Sequence, residues 1–186
     1  MIDAGELRKG ITIELEGRLY RVIDHQHLKL GRGSAQVRLK LRDVRAAHTI
    51  ERTFQASEKF TPARLEACDV QYLYQDGDLH YFMDTESFEQ IPLSTNQLGN
   101  AINYLKEGMA LEMLSYKDET IGVELPTAVE LQVIETGPSF KGDTATSGSK
   151  PATLETSIII QVPFFINSGD VVKVDTRTGE YLERVS

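Results

Sequence analysis

The feature that most constrains this chain is a two-residue alternation of apolar and polar side chains, interrupted every few residues by a turn signal. Its clearest instance is Val37-Arg38-Leu39-Lys40-Leu41-Arg42. Successive side chains of an extended strand point to opposite faces, so Val37, Leu39 and Leu41 face a core while Arg38, Lys40 and Arg42 make a row of cations. A helical period would scatter both sets. The alternation also runs through Ile11, Ile13 and Leu15 and, after a Glu16-Gly17 turn, through Leu19, Arg21 and Ile23. Val70, Tyr72 and Tyr74 precede the turn signal Asp76-Gly77-Asp78, and Leu79, Tyr81 and Met83 follow it, which describes a hairpin. Later strands are predicted at Ile158–Val162 and Val171–Val174, separated by Asn167-Ser168-Gly169-Asp170. One helix is predicted: Ser94 and Gln97 fit a capping box, Leu98, Ala101, Ile102 and Leu105 share one helical face, and Gly108 ends it, with Gly99 as a weak point inside.

Two joints divide this pattern. Around Ser57–Ala63 the alternation stops, and Pro62 punctuates a short turn or single helical turn; at Leu125-Pro126-Thr127 a run ends in a proline that cannot donate to a ladder, and Val129, Leu131 and Val133 begin another. Three units result, residues 1–64, 65–127 and 128–186. The class is all-β with one short helix. Sheets of about 60 residues cannot otherwise cover their edges, which points to small barrels.

Charge separates the units as well. The whole chain carries −8, which by itself disfavours a polyanionic partner. Residues 1–64 hold 13 Lys+Arg against 8 Asp+Glu, a net of +5; residues 65–127 hold 2 against 12, a net of −10; residues 128–186 hold 5 against 8, a net of −3. The question of nucleic acid therefore belongs to the first unit. No apolar run approaches a membrane span, and Met1-Ile2-Asp3-Ala4-Gly5-Glu6 lacks the basic start and apolar core of a signal peptide. A lone Cys68 excludes an intramolecular disulfide, which suits a reducing cytosol.

The richest segment is Lys29-Leu30-Gly31-Arg32-Gly33-Ser34. Two glycines between strands suit a hairpin tip, with Arg32 at its apex. A solvated turn with an ordinary surface arginine is the plain alternative. The company of Arg38, Lys40, Arg42 and Arg45 favours a basic face for RNA, because guanidinium offers phosphates a planar fork of donors and stacks on bases. His25 and His27 would share a strand face but lack a third ligand, so no metal site is expected. The Gly142–Lys150 stretch fails the phosphate-loop spacing and reads as a polar loop whose amides could contact RNA. Tyr72, Tyr74, Tyr81 and Phe82 could stack on bases, but their unit is strongly acidic, and core packing with hairpin pairing fits better. Asp76, Asp78, Asp84 and Glu86 fit turns. No nucleophile, base and oxyanion set converges, so neither an enzyme nor a bound cofactor is expected.

Several stretches carry a family resemblance that spans the chain: Lys29–Ala35, Tyr104–Met109, Val123–Pro126, Lys141-Gly142-Asp143-Thr144, Lys150–Thr156, Val162-Pro163 and Val174-Asp175-Thr176-Arg177. In these the sequence resembles bacterial elongation factor P. The resemblance implies a KOW-like (SH3-like) N-terminal barrel and two OB-fold barrels arranged in a tRNA-like L. It implies a monomeric cytoplasmic factor, not an enzyme, that binds the 70S ribosome between the P and E tRNA sites near E-site ribosomal proteins. Such a factor steadies P-site tRNA and stimulates peptide-bond formation at polyproline stalls.

By the same resemblance, Arg32 is the tip residue aimed at the tRNA CCA end, with Lys29, Gly31, Gly33 and Ser34 around it. This is the arginine branch of the family, so Arg32 is either bare or rhamnosylated by an arginine rhamnosyltransferase. Tyr181 and Arg184 match residues that approach the anticodon stem, and Gly142, Asp143, Thr144 and Gly148 match the loop that reaches the exit-site codon. The sequence has Leu30 where many members have Pro, and Ser157 and Glu183 where Gly is common. An elongation factor P-like paralogue and a general single-stranded-RNA-binding barrel are the competing readings.

Overall fold

In a computed structural model the described residues are 1–28, 33–46, 48–138 and 148–186. Among the described residues there are sixteen strands. The first sheet contains β1 (Ile2–Asp3), β2 (Thr12–Leu15), β3 (Arg18–Leu28), β4 (Gln36–Asp43), β5 (Thr49–Gln55) and β6 (Lys59–Pro62), in the order β1-β6-β2-β3-β4-β5. The second contains β7 (Glu66–Asp76), β8 (Leu79–Asp84), β9 (Gln90–Ser94), β10 (Ala110–Tyr116) and β11 (Glu119–Glu124), in the order β11-β10-β7-β8-β9. The third contains β12 (Ala128–Thr136), β13 (Ser149–Leu154), β14 (Ile159–Pro163), β15 (Val171–Asp175) and β16 (Tyr181–Arg184), in the order β14-β13-β12-β15-β16.

These residues form two compact units. One comprises Met1–Asp69, Leu93–Gly99 and Met113–Val123, and the other Val70–Pro92, Asn100–Glu112 and Glu124–Ser186. In the first unit, Val37, Leu39 and Leu41 are fully buried with Ile13, Tyr20, Val22, Phe54 and Phe60, while Arg38 and Lys40 are exposed, as the alternation predicts. Phe54 and Phe60 meet edge-on at 5.0 Å, a favoured aromatic geometry. On the outer face of the same sheet a smaller cluster joins Leu19, Ala63, Leu114 and Ile121. In the second unit, Leu131, Val133, Leu154, Val162, Ile166, Val172 and Val174 make one core.

The turns follow the residues that permit them. Glu16 and Gly17 both have positive φ (53° and 76°), as do Lys117 and Asp118 (52° and 64°), the backbone hand that matches strand twist in two-residue hairpins. Asp84 Oδ1 accepts hydrogen bonds from the amides of Glu86 and Ser87, both 2.8 Å, so these acids build a turn.

Two expectations are corrected. The helix is far shorter than its face pattern suggests. Ser94 and Gln97 do form the capping box, but α1 spans only Thr95–Leu98; Gly99 (φ 53°, ψ −129°) ends it, and Gly99–Tyr104 continue as 3-10 turns. Glycine's freedom to leave the helical region outweighs the apolar spacing of Ala101, Ile102 and Leu105. The stretch around Pro62 is also not a turn or helical turn: Lys59–Pro62 is β6, paired with β1 and β2, with Pro62 opposite Ile13 at the strand end. Four residues with one buried apolar group, Phe60, are too few to display a period.

Two measurements probe these features. Ser157 has φ +69°, a region that costs a residue with Cβ about 1–2 kcal/mol. Ser157→Gly is expected to stabilise the protein by roughly 0.5–1 kcal/mol after glycine's greater unfolded-state entropy is subtracted, measured by urea denaturation. A loss of stability would rule out strain at this turn. His80 is buried and hydrogen-bonded to the Tyr72 hydroxyl at 3.2 Å, and burial pushes its pKa below the usual histidine value. The unfolded chain therefore takes up a proton that the folded one resists. The resulting stability is complete above about pH 6.5 and is lost as pH falls through the depressed folded value. Between pH 7 and 5 the wild type should lose more stability than His80→Gln; parallel curves would remove His80 from the account.

Candidate nucleic-acid interface

The basic face of the first unit is set by ladder register. An irregularity between Val22 and Asp24 brings Asp24 opposite Lys40 and Gln26 opposite Arg38, while β5 brings Thr53, Glu51 and Thr49 opposite Arg38, Lys40 and Arg42. Directly opposed residues share a face, so the cation row is flanked by carboxylates on both sides. Arg38 Nε lies 3.4 Å from Glu51 Oε1. Arg45 stands beyond the far end of β4, where its amide donates to Asp43 Oδ1 (2.9 Å) and its guanidinium donates to Glu119 (3.2 Å). Arg52 clasps Glu16 through two hydrogen bonds of 2.8 and 3.3 Å, tying the β2–β3 turn to the edge strand and lowering the Glu16 pKa. Much of the positive charge counted in the sequence is thus balanced locally.

Pairing of β3 with β4 continues to Leu28 opposite Gln36. Gly33 and Ser34 are exposed in the connection between them; Lys29, Gly31 and Arg32 lie outside the described residues. His25 and His27 sit on β3 with rings edge-on at 5.8 Å, and among the described residues no cluster of His, Cys, Asp and Glu could hold a metal. Tyr72 and Phe82 are buried, and Tyr74 stacks on Tyr81 directly across the β7–β8 pair at 4.8 Å. These aromatics pack and pair, the reading preferred over a base-stacking platform.

In the second unit, Tyr181 is half-buried against the core and opposite Val174. Arg184 lies 3.8 Å from Asp170 and has its guanidinium 5.8 Å from the centre of the exposed Phe165 ring. Gly148 backs onto the neighbouring ring: a Cβ there would fall inside Phe164. Gly142, Asp143 and Thr144 lie outside the described residues. Gly148 and Arg184, far apart in sequence, therefore flank the consecutive residues Phe164 and Phe165. Sequence reading passed over this aromatic pair, although two adjacent phenylalanines following a short strand cannot both face one core. Nearby, Asp175 accepts hydrogen bonds from the Arg177 amide, Nε and Nη2 at 2.8, 3.2 and 2.7 Å, which hold its pKa at about 2.

Comparisons with known proteins cover the whole chain. The family model for the elongation factor P KOW-like domain matches residues 3–60, that for its OB domain residues 65–123, and that for its C-terminal domain residues 129–184. Elongation factor P of Thermoanaerobacter sp. (strain X514) is 56% identical over 185 residues, covering 100% of both chains. That of Moorella thermoacetica is 56% identical over 184 residues, 99% of this chain and 100% of its own. Among solved structures, eukaryotic translation initiation factor 5A from Methanococcus jannaschii superposes with a TM-score of 0.50 at 21% identity, over 66% of this chain and 90% of its own, a likeness of fold.

The packing at Gly148 gives a test. Gly148→Ala is expected to cost about 1 kcal/mol because Phe164 must leave its seat. Phe164→Ala in the same chain should cancel that cost, a non-additivity read from a thermal double-mutant cycle. Strict additivity would mean that the two residues do not share this contact.

Proposed function

The chain belongs to the elongation factor P family, and from that premise we propose that it binds the 70S ribosome between the P and E tRNA sites and stimulates peptide-bond formation at polyproline stalls. The observation that carries this reading is the β3–β4 hairpin. Its pairing extends to Leu28 and Gln36, on a ladder whose β4 strand turns Val37, Leu39 and Leu41 into the core, and the segment that joins the two strands contains Lys29-Leu30-Gly31-Arg32-Gly33-Ser34. A guanidinium in the segment that joins two strands of a core-backed ladder suits a group that must reach a phosphate or a terminal nucleotide.

The mechanism is one of positioning. Proline is a constrained secondary amine, and its ring limits how the peptidyl end can align for attack. A protein that holds the P-site tRNA end in a reactive geometry lowers the entropic part of the barrier without supplying a catalytic group. In this reading Arg32 approaches the CCA end, Tyr181 and Arg184 approach the anticodon stem, and the Gly142–Gly148 loop approaches the exit-site codon. Ribosomal proteins near the E site complete the partners. The factor works as a monomer in the cytoplasm, with no metal or cofactor. Arg32 is the residue on which an arginine rhamnosyltransferase would act; a deoxyhexose increment on the tip peptide from the native host marks that modification, and its absence leaves the bare guanidinium as the working group.

Arg32→Ala is expected to abolish stimulation of synthesis through consecutive prolines in a reconstituted translation assay, while the melting temperature stays that of the wild type. Stimulation at the wild-type rate would refute the role given to Arg32. Equal binding to any single-stranded RNA, without need of a P-site tRNA complex, would favour a general RNA-binding barrel.

A further inference from the structure

Four of the stretches that mark this sequence, residues 104–109, 123–126, 150–156 and 174–177, have no part in the proposed tip or polar loop. Within the second unit the fold brings members of all four to one place. Tyr104 is buried in the core of the third sheet, and every other buried member described there comes from residues 129–174. Its hydroxyl meets the β15–β16 turn, where a Cβ on Gly179 would come within 3.2 Å of it. Gly179, at φ +75°, closes that turn by donating its amide to the Asp175 carbonyl at 2.8 Å. Burial, and then the nearby Asp175 carboxylate, raise the Tyr104 pKa, so the hydroxyl stays neutral in this seat.

Two further ties accompany the ring. Lys106 Nζ lies 3.1 Å from Glu155 Oε1, and that oxygen also accepts the Gln132 amide at 2.8 Å, so the lysine grips a carboxylate already fixed to β12. Thr176 donates its hydroxyl to the Pro126 carbonyl at 2.6 Å and its amide to the Thr127 carbonyl at 3.0 Å, while Leu125 packs half-buried against the same core. The connection that leads into β12 is therefore clamped at its start. The segment bearing Tyr104 is also held to β7: the Gly108 amide donates to the Tyr72 carbonyl at 2.8 Å, the Tyr72 amide to the Met109 carbonyl at 2.9 Å, and Gln71 Nε2 to the Gly108 carbonyl at 3.2 Å. Structured parts linked by chain alone move against each other by default. A buried ring with two separate ties removes that freedom, because three attachments fix the orientation of one body on another.

We propose that Tyr104 is a positioning residue: it locks the third sheet onto β7 and so fixes the direction in which β16 presents Tyr181 and Arg184. Both residues lie on the strand that follows the turn Tyr104 touches, so a shift of the ring moves them together. Their role as RNA contacts rests on the reading given under the proposed function; the lock itself does not.

The test uses the full chain with Cys68→Ser and spin labels at Glu89→Cys and Glu130→Cys, two exposed positions on either side of the joint. Pulsed dipolar spectroscopy is expected to give one narrow distance distribution. Tyr104→Leu, and separately Lys106→Glu, should broaden it about twofold, while Tyr104→Phe, which keeps the ring, should not, and circular dichroism should show every variant folded. An unchanged width in both Tyr104→Leu and Lys106→Glu would overturn the proposal, as would a broad distribution in the labelled parent. Titrating the unlabelled factor into a reconstituted assay of synthesis through consecutive prolines separates positioning from stability. Tyr104→Leu is expected to raise the half-saturating concentration about fivefold with the maximal rate unchanged, Arg184→Ala to do the same, and the two together to add nothing further. Losses that multiply would mean that Tyr104 does not act through β16, and the proposal would fall. If the wild type gives no stimulation, or Arg184→Ala matches it, the proposed function is at fault, and the distance distributions alone decide the lock.

Discussion

The β3–β4–β5 ladder is the constraint on which the rest of the first unit depends. Its inner face carries Val37, Leu39 and Leu41 at zero exposure, and its outer face carries every cation assigned to the basic surface apart from Arg45. Because side chains alternate strictly, burying the first set compels the second outward, and a slip of one residue would exchange them. The same pairing that closes the core therefore continues to Leu28 opposite Gln36, where the chain leaves β3. Stability and presentation of positive charge are one property of the strand.

Charge balance then decides which cations remain available. Register sets Asp24 and Glu51 against Lys40, Glu51 also reaches Arg38 as an ion pair, and Glu119 and Glu16 engage Arg45 and Arg52. Exposed pairs of this kind contribute little to stability, typically under about 1 kcal/mol, but they lower the local field and so select where a polyanion is drawn. The second unit differs: its candidate residues Gly148 and Arg184 lie against the exposed pair Phe164 and Phe165.

The elements most legible in the sequence were those whose period was long enough to see. Arg18–Leu28, Gln36–Asp43, Glu66–Asp76 and Leu79–Asp84 appear as strands where alternation ran for five or more residues. Thr49–Gln55 gave little sign, because only Phe54 on it is buried and its remaining residues serve an edge. Lys59–Pro62 hid behind its proline. The helix misled because apolar spacing over Leu98–Leu105 is shared by an α-helix and by 3-10 turns. One glycine with φ +53° separates them, and a face pattern does not report a backbone torsion.

What the sequence by itself determined is the class of fold, the family and the asymmetry of charge between segments. All of these follow from local alternation and from residue order, which need no knowledge of distant neighbours. The tertiary structure decided which charges are spent and which are free. Glu16 meets Arg52, Glu119 meets Arg45 and Glu51 meets Arg38, across separations no local pattern encodes. Segment sums of +5, −10 and −3 count charges without positions. Electrostatic attraction depends on distance and on screening, so only the folded ladder converts that count into a surface.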